Sequence, residues 1–170
     1  ISLDCTLETV QSAVLQQCEL IITHHPVIFS PLKNVLAGTV VYELLRNNVA
    51  VISMHTNLDV GENGVNDCLC RKIGLTEIKP HLASVGYLLK SGIVSSISAK
   101  SFAEHLKTRI GGVVKYVDGD KPINTVLVCS GSGGDFIDEA IKNGFDALVT
   151  ADIKHHHFLT AKDNNVSLFD

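Results

Sequence analysis

Apolar residues in this chain fall into two alternating patterns: short unbroken runs, and longer stretches with helical spacing. Ile1 to Cys5 reads as a strand. Thr6 is placed to N-cap a helix whose Leu7, Val10, Ala13 and Val14 share one face before it ends near Gln17. Leu20-Ile21-Ile22 is an unbroken apolar run, which predicts a buried strand rather than a half-exposed one. A second helix follows Gly38 and Thr39, carries Val41, Leu44 and Leu45, and closes at Asn47-Asn48; Val49 to Met54 is the next strand. Asp67 to Ile73 reads as a helix with Gly74 beyond its C-terminus. Further on, Val85 to Leu89 and Val113 to Val117 read as strands flanking a helix from Ser98 to Ile110 with apolar Phe102, Leu106 and Ile110. After the turn Asp118-Gly119-Asp120-Lys121-Pro122, Val126 to Cys129 is again a continuous apolar strand. A glycine-rich turn then leads into helix Phe136 to Lys142. Strand Ala147 to Thr150, helix His155 to Lys162 and strand Val166 to Phe169 complete the chain. Buried β runs separated by helices predict an α/β fold with mainly parallel sheets covered by helices on both faces.

Composition narrows this picture. At 170 residues the chain is one domain or two closely packed small ones, large enough to bury roughly 70% of its unfolded surface. Mean hydropathy is +0.24. No apolar run reaches the ~18 residues of a membrane span. With 14 Lys plus Arg against 18 Asp plus Glu, the general electrostatic drive toward nucleic acid is missing. The five cysteines Cys5, Cys18, Cys68, Cys70 and Cys129 match neither a disulfide ladder nor paired C-x₂-C knuckles, so a reducing, cytoplasmic setting is expected. Ile1 begins inside an apolar stretch and Asp170 follows a strand, which leads us to expect a protein trimmed at both ends.

Four segments carry candidate chemistry. Thr23-His24-His25-Pro26 follows a predicted strand, and ligands bind at the carboxyl ends of strands in open α/β sheets. Adjacent residues on a strand face opposite ways, but past its end the backbone is able to turn both imidazoles inward, each toward a different ion of a dinuclear site. The alternative is a hydrogen-bonded pair in a surface loop. His55-Thr56-Asn57-Leu58-Asp59 follows the next strand, and its loop would open at the same edge; there Asp59 either bridges two divalent ions or closes a turn. Thr150-Ala151-Asp152 precedes His155-His156-His157, which on a helix point in different directions. Asp152 is a candidate general base or a carboxylate that orients a metal ligand, or else the N-cap of that helix. In Ser130-Gly131-Ser132-Gly133-Gly134, Gly131, Gly133 and Gly134 either bring backbone amides to an anion such as phosphate or allow tight strand-to-helix packing. The run has no P-loop lysine. Cys129 beside it reads as a small buried hydrophobe.

Taken together, Asp4-Cys5-Thr6, the stretch from Ile21 to Phe29, His55 to Asp59 with Gly64-Val65-Asn66, and Ser130 to Gly134 through Lys154 resemble the NGG-one-interacting-factor-three-like family. Its bacterial members are described as GTP cyclohydrolase type-two homologues. The resemblance covers essentially the whole chain and is weakest between Leu75 and Pro122. It implies an interlocked, two-lobed single α/β domain over residues 1–170 and a dinuclear divalent-metal site facing the inside of a homohexameric ring. His24 and His25 then match paired ligands, Asp59 the bridging carboxylate, Asp152 a nearby acid and His156 a histidine common at that point. Asp152 or His156 would move protons, and Gly131, Gly133 and Gly134 would hold a substrate phosphate. Zn, Mn, Fe or Ni all suit mixed nitrogen and carboxylate ligands. A further histidine and glutamate are expected past Asp170. The implied function is a metal-dependent hydrolase of a nucleotide-like heterocycle; the alternative is a metal-stabilised binding or regulatory factor without turnover.

Overall fold

The computed structural model describes residues 1–170 and resolves into two compact units, Ile1–Leu58 and Asp59–Asp170. In the first unit, helix α1 (Leu7–Leu15) is capped by Thr6, whose hydroxyl accepts from the Thr9 amide. Strand β1 (Leu20–Thr23) follows, then helix α2 (Val40–Arg46), capped in the same way by Thr39, and strand β2 (Ala50–Ser53). The two strands pair in parallel with Thr23 opposite Ser53, so the segments after both leave from one end of the sheet. The predicted strand at Ile1 to Cys5 is reduced to a single bridge, Ser2 to Thr23. The Ser2 hydroxyl bonds the Asp4 carbonyl and folds the segment out of the ladder. β1 is half-exposed, not buried: Ile21 and Thr23 point inward, while Leu20 faces out. Val10, Ala13, Ile21, Leu44 and Val49 form this unit's core.

Helix α3 (Thr56–Val60) leads into the second unit, replacing the loop predicted there. Next come α4 (Val65–Lys72), β3 (Thr76–Leu82), β4 (Leu88–Ile97), α5 (Ala99–Ile110), β5 (Tyr116–Val117) and β6 (Ile123–Ser132). A single 3-10 turn at Gly134–Phe136 precedes α6 (Ile137–Lys142), and β7 (Ala147–Ala151), α7 (His155–Asp163) and β8 (Ser167–Phe169) finish the chain. The strands form one sheet in the order β3-β4-β6-β7-β8-β5.

This sheet is mixed, which corrects the expectation of mainly parallel pairing. Only β6-β7 and β7-β8 are parallel; β3-β4, β4-β6 and β5-β8 are antiparallel. The antiparallel half was hidden because β3, Thr-Glu-Ile-Lys-Pro-His-Leu, is polar and carries Pro80. Both features are tolerated on an edge strand, where one side of the backbone needs no partner. Val85 and Gly86, expected in a strand, instead form the hairpin turn, with Gly86 at φ +81°.

Both faces of this sheet are covered, as the apolar runs predicted. Val126 and Val128 of β6 join Phe102, Leu106 and Phe169 on one face, whereas Leu127 and Cys129 join Ile137, Ala140 and Leu168 on the other. Successive strand residues point to opposite faces, so a continuous apolar run serves two cores at once. No helix is long and apolar enough to cross a membrane.

Candidate metal centre

At the end of β1 the buried Thr23 hydroxyl donates to the His25 carbonyl at 2.8 Å and lies 3.0 Å from Ser53 Oγ. The chain is turned there, so His24 and His25 no longer alternate, and their ring centroids lie 5.0 Å apart. From the end of β2, His55 brings a third ring, 5.4 Å from His24 and 5.9 Å from His25. His24 Nδ1 donates to the Met54 carbonyl at 2.9 Å, and His25 Nδ1 lies 2.7 Å from Asp4 Oδ1. A carbonyl and an ionised carboxylate only accept, so both rings carry their proton on Nδ1 and their lone pair on Nε2. Metal-ligating histidines are oriented in this way, with the second nitrogen donating to a carboxylate or backbone carbonyl. The donor set in the first unit therefore fits a divalent cation. Asp4 lies in a segment that carries the resemblance, but its role as an anchor is not legible there, because 21 residues separate it from His25.

In the second unit, Asp59 lies on α3 and is 8% exposed. Its Oδ1 accepts from Ser130 Oγ at 3.2 Å, and the Ser130 amide donates to Asn66 Oδ1 at 2.6 Å. Asn66 is fully buried, and its Nδ2 has no partner. Asn66 and Ser130 lie in segments that carry the family resemblance, but the sequence assigns neither of them a role; only the fold brings residues 59, 66 and 130 together.

The glycine-rich run is not a simple turn into a helix. Ser130, Gly131 and Ser132 belong to the bulged end of β6, and the six-residue α6 starts only after the 3-10 turn. An added Cβ at Gly133 would lie 2.5 Å from Thr150 Oγ1 and 2.7 Å from Cys129 Sγ, and one at Gly134 would overlap the His157 ring. Close packing thus accounts for both glycines. Gly131, at φ +70°, has open space at its Cα. Ser132 and Gly133 also line a groove of 560 Å³ with Tyr87 and Phe136, whose rings are 5.3 Å apart. Burial, reinforced by Asp59 and, once it is ionised, by Cys129, pushes the Tyr87 hydroxyl up to about 12. Burial also pushes the Cys129 thiol up to about 11, so it stays protonated and is a poor nucleophile, as its sequence surroundings indicated.

Past β7, Asp152 is exposed and adopts φ +55°. It does not cap α7: Lys154 is the N-cap, and its amide donates to His157 Nδ1 at 3.2 Å. His157 Nε2 then carries the proton and donates to Asp135 Oδ1 at 3.0 Å. Asp135, His156 and His157 bring ligand atoms within 4.8 Å of one another. To bind a cation there, however, the buried His157 ring would have to give up one of two bonds that hold the start of α7. His156 is exposed, its ring 4.1 Å from that of His157.

An α/β protein with a histidine cluster anchored at a strand end is the class these features define. The profile of Duf34/NIF3 (NGG1p interacting factor 3) matches residues 1–170, and the chain belongs to this family. Among its relatives, a GTP cyclohydrolase 1 type 2 homolog of Clostridium acetobutylicum is 30% identical over 99% of this chain and 68% of its own length. One of Streptococcus pneumoniae is 34% identical over 96% of this chain and 65% of its own. The chain thus spans about two thirds of the length of these relatives. Among solved structures, hypothetical protein SA1388 of Staphylococcus aureus superposes with a TM-score of 0.88 at 28% identity, over 99% of this chain and 71% of that one. Reduced HcgD from Methanocaldococcus jannaschii gives 0.81 at 27% identity, over 99% and 69%.

Proposed function

We propose that this protein binds two divalent cations through His24, His25 and Asp59 and acts as a metal-dependent hydrolase on a nucleotide or related heterocycle. The observation that carries the reading is the anchoring of His24 and His25 through Nδ1, which directs Nε2 to coordination. The family resemblance adds Asp59 as the bridging carboxylate and leaves Zn, Mn, Fe or Ni as the ions. When bound, such ions supply Lewis acidity, polarising a substrate oxygen and lowering the pKa of water. Ser130 orients the Asp59 carboxylate, and the exposed Asp152 and His156 are the groups proposed to move protons. The Tyr87–Phe136 groove suits a flat heterocycle, with Gly131 the accessible backbone of the glycine run.

The relatives' name, GTP cyclohydrolase 1 type 2 homolog, supports the substrate class. The five free cysteines support a reducing, cytoplasmic setting, and the hexameric ring comes from the resemblance. The test is metal analysis of the full chain with His25→Ala and Asp59→Ala, each expected to lose at least one ion, followed by a turnover screen of nucleotides with metal-loaded protein. Unchanged occupancy in both variants removes the site. Light scattering that returns the 18.3 kDa monomer removes the ring.

One observation favours a second reading, a metal-stabilised binding or regulatory factor. Ile28, Phe29, Leu32, Val35 and Leu36 are all large, apolar and exposed within one short segment. Metal binding without turnover on any nucleotide would select it.

A further inference from the structure

We infer that the groove beside Tyr87 and Phe136 takes a guanine-type base, a ring with a 2-amino-4-oxopyrimidine edge, and that Asp138 reads the paired N–H donors of that edge. This names the base for the nucleotide reading above, on which it rests.

The groove lies wholly within residues 59–170, and its 560 Å³ is the size of a small-molecule site. Tyr87 and Phe136 are half-buried, with centroids 5.3 Å apart and ring planes 40° apart, and together they make an aromatic wall. Glu139 fixes the hairpin tip that carries Tyr87. Its carboxylate accepts from the Ser84 amide at 3.0 Å, the Ser84 hydroxyl at 2.8 Å, His81 Nε2 at 3.0 Å and Asn143 Nδ2 at 2.7 Å. Four donors saturate a carboxylate, so Glu139 has nothing left for a ligand. Lys142 is spent on the same Ser84 hydroxyl, at 3.1 Å.

What the groove leaves unused is acceptor capacity. Asp138 lines it, is exposed, and makes no hydrogen bond or ion pair within the chain. Asp135 gives one oxygen to His157. Asp135, Asp138 and Glu139 against Lys142 leave the walls negative, which repels phosphate and favours a ligand that brings donors. An aromatic face beside a carboxylate selects a flat ring with two adjacent N–H groups, because an N–C–N donor fork meets both carboxylate oxygens as a guanidinium does. Guanine has that fork. Adenine and cytosine set a donor beside a lone pair, which a carboxylate repels, and hypoxanthine offers a single donor there.

The experiment titrates guanosine, inosine and xanthosine calorimetrically into the full chain and into Asp138→Asn and Tyr87→Ala. Guanosine is expected to bind about 10-fold more tightly than inosine, which lacks the 2-amino group. Asp138→Asn should weaken guanosine about 10- to 100-fold and reverse the order, so that xanthosine binds better than guanosine. The carboxamide donates to the oxygen that xanthine carries in place of the amino group, a gain that a merely structural Asp138 would not produce. Because Asp138 is exposed, this variant should keep the parent's thermal midpoint. Tyr87→Ala should weaken guanosine and inosine alike, about 10-fold, through lost stacking. Equal binding of guanosine and inosine by the parent, an unchanged order of preference in Asp138→Asn, or parent-like affinity in Tyr87→Ala overturns the inference. If no nucleoside binds while the chain still holds metal and turns over a nucleotide, the groove's role falls and the hydrolase reading stands. Guanosine binding in the expected order without turnover of any nucleotide supports the groove and removes the hydrolase.

Discussion

The protein has two histidine clusters, and their hydrogen bonds use the rings in opposite ways. At the end of β1, His24 and His25 spend Nδ1 on Met54 and Asp4 and keep the lone pair on Nε2. At the start of α7, His157 accepts the Lys154 amide on Nδ1 and donates Nε2–H to Asp135, so both nitrogens serve the fold. The second cluster has the longer histidine run in the sequence, yet the first is better prepared to bind a cation. Histidine count does not distinguish a ligand from a structural ring; the bond made by the other nitrogen does.

The sharpest way to break this contrast is His25→Ala, expected to weaken metal binding at least 100-fold by calorimetric titration. Because that side chain is about half exposed, the metal-free fold should be unaffected. Asp4→Ala should weaken binding about 10- to 100-fold by freeing the His25 ring, a typical loss when the group that orients a ligand is removed; unchanged affinity would show that Asp4 does not position His25 for metal.

In the other cluster the readout reverses. His157→Ala should cost about 1–3 kcal/mol in denaturant unfolding by stranding the Lys154 amide, with metal stoichiometry unchanged. Gly134→Ala should cost about as much, since its Cβ would overlap the same ring. Loss of an ion in His157→Ala would move the metal site to α7.

A third histidine–carboxylate pair, His81 with Glu139 at 3.0 Å, adds a pH test. The Ser84 amide, and then His81, hold the Glu139 carboxyl down at about 2. Its contribution to stability is complete above the unfolded value of about 4.3 and is lost as pH falls toward 2. Glu139→Gln should flatten the stability profile across that window. The smallest effect belongs to the exposed His156→Ala, within about 0.5 kcal/mol of the parent, with any consequence confined to turnover.

Much of the second unit was legible in the sequence. The runs at Val126 to Cys129 and Ala147 to Thr150 announced strands buried on both faces, and Ser98 and the spacing of Phe102 and Leu106 announced α5. The polar strand β3 was not legible, because an edge strand needs neither an apolar run nor a donor at every position, and its absence left the sheet looking parallel.

For the candidate metal centre, the sequence by itself determined the residue types and put His24, His25 and the glycine-rich run at strand ends, whereas Asp59, expected in a loop, sits on α3. Local pattern was enough, because strands and caps are set by neighbours a few residues away. Only the tertiary structure decided which imidazoles carry their proton on Nδ1. Asp4, Met54, Ser130 and Asn66 reach their partners across the fold, and a ring's tautomer depends on what meets its far nitrogen.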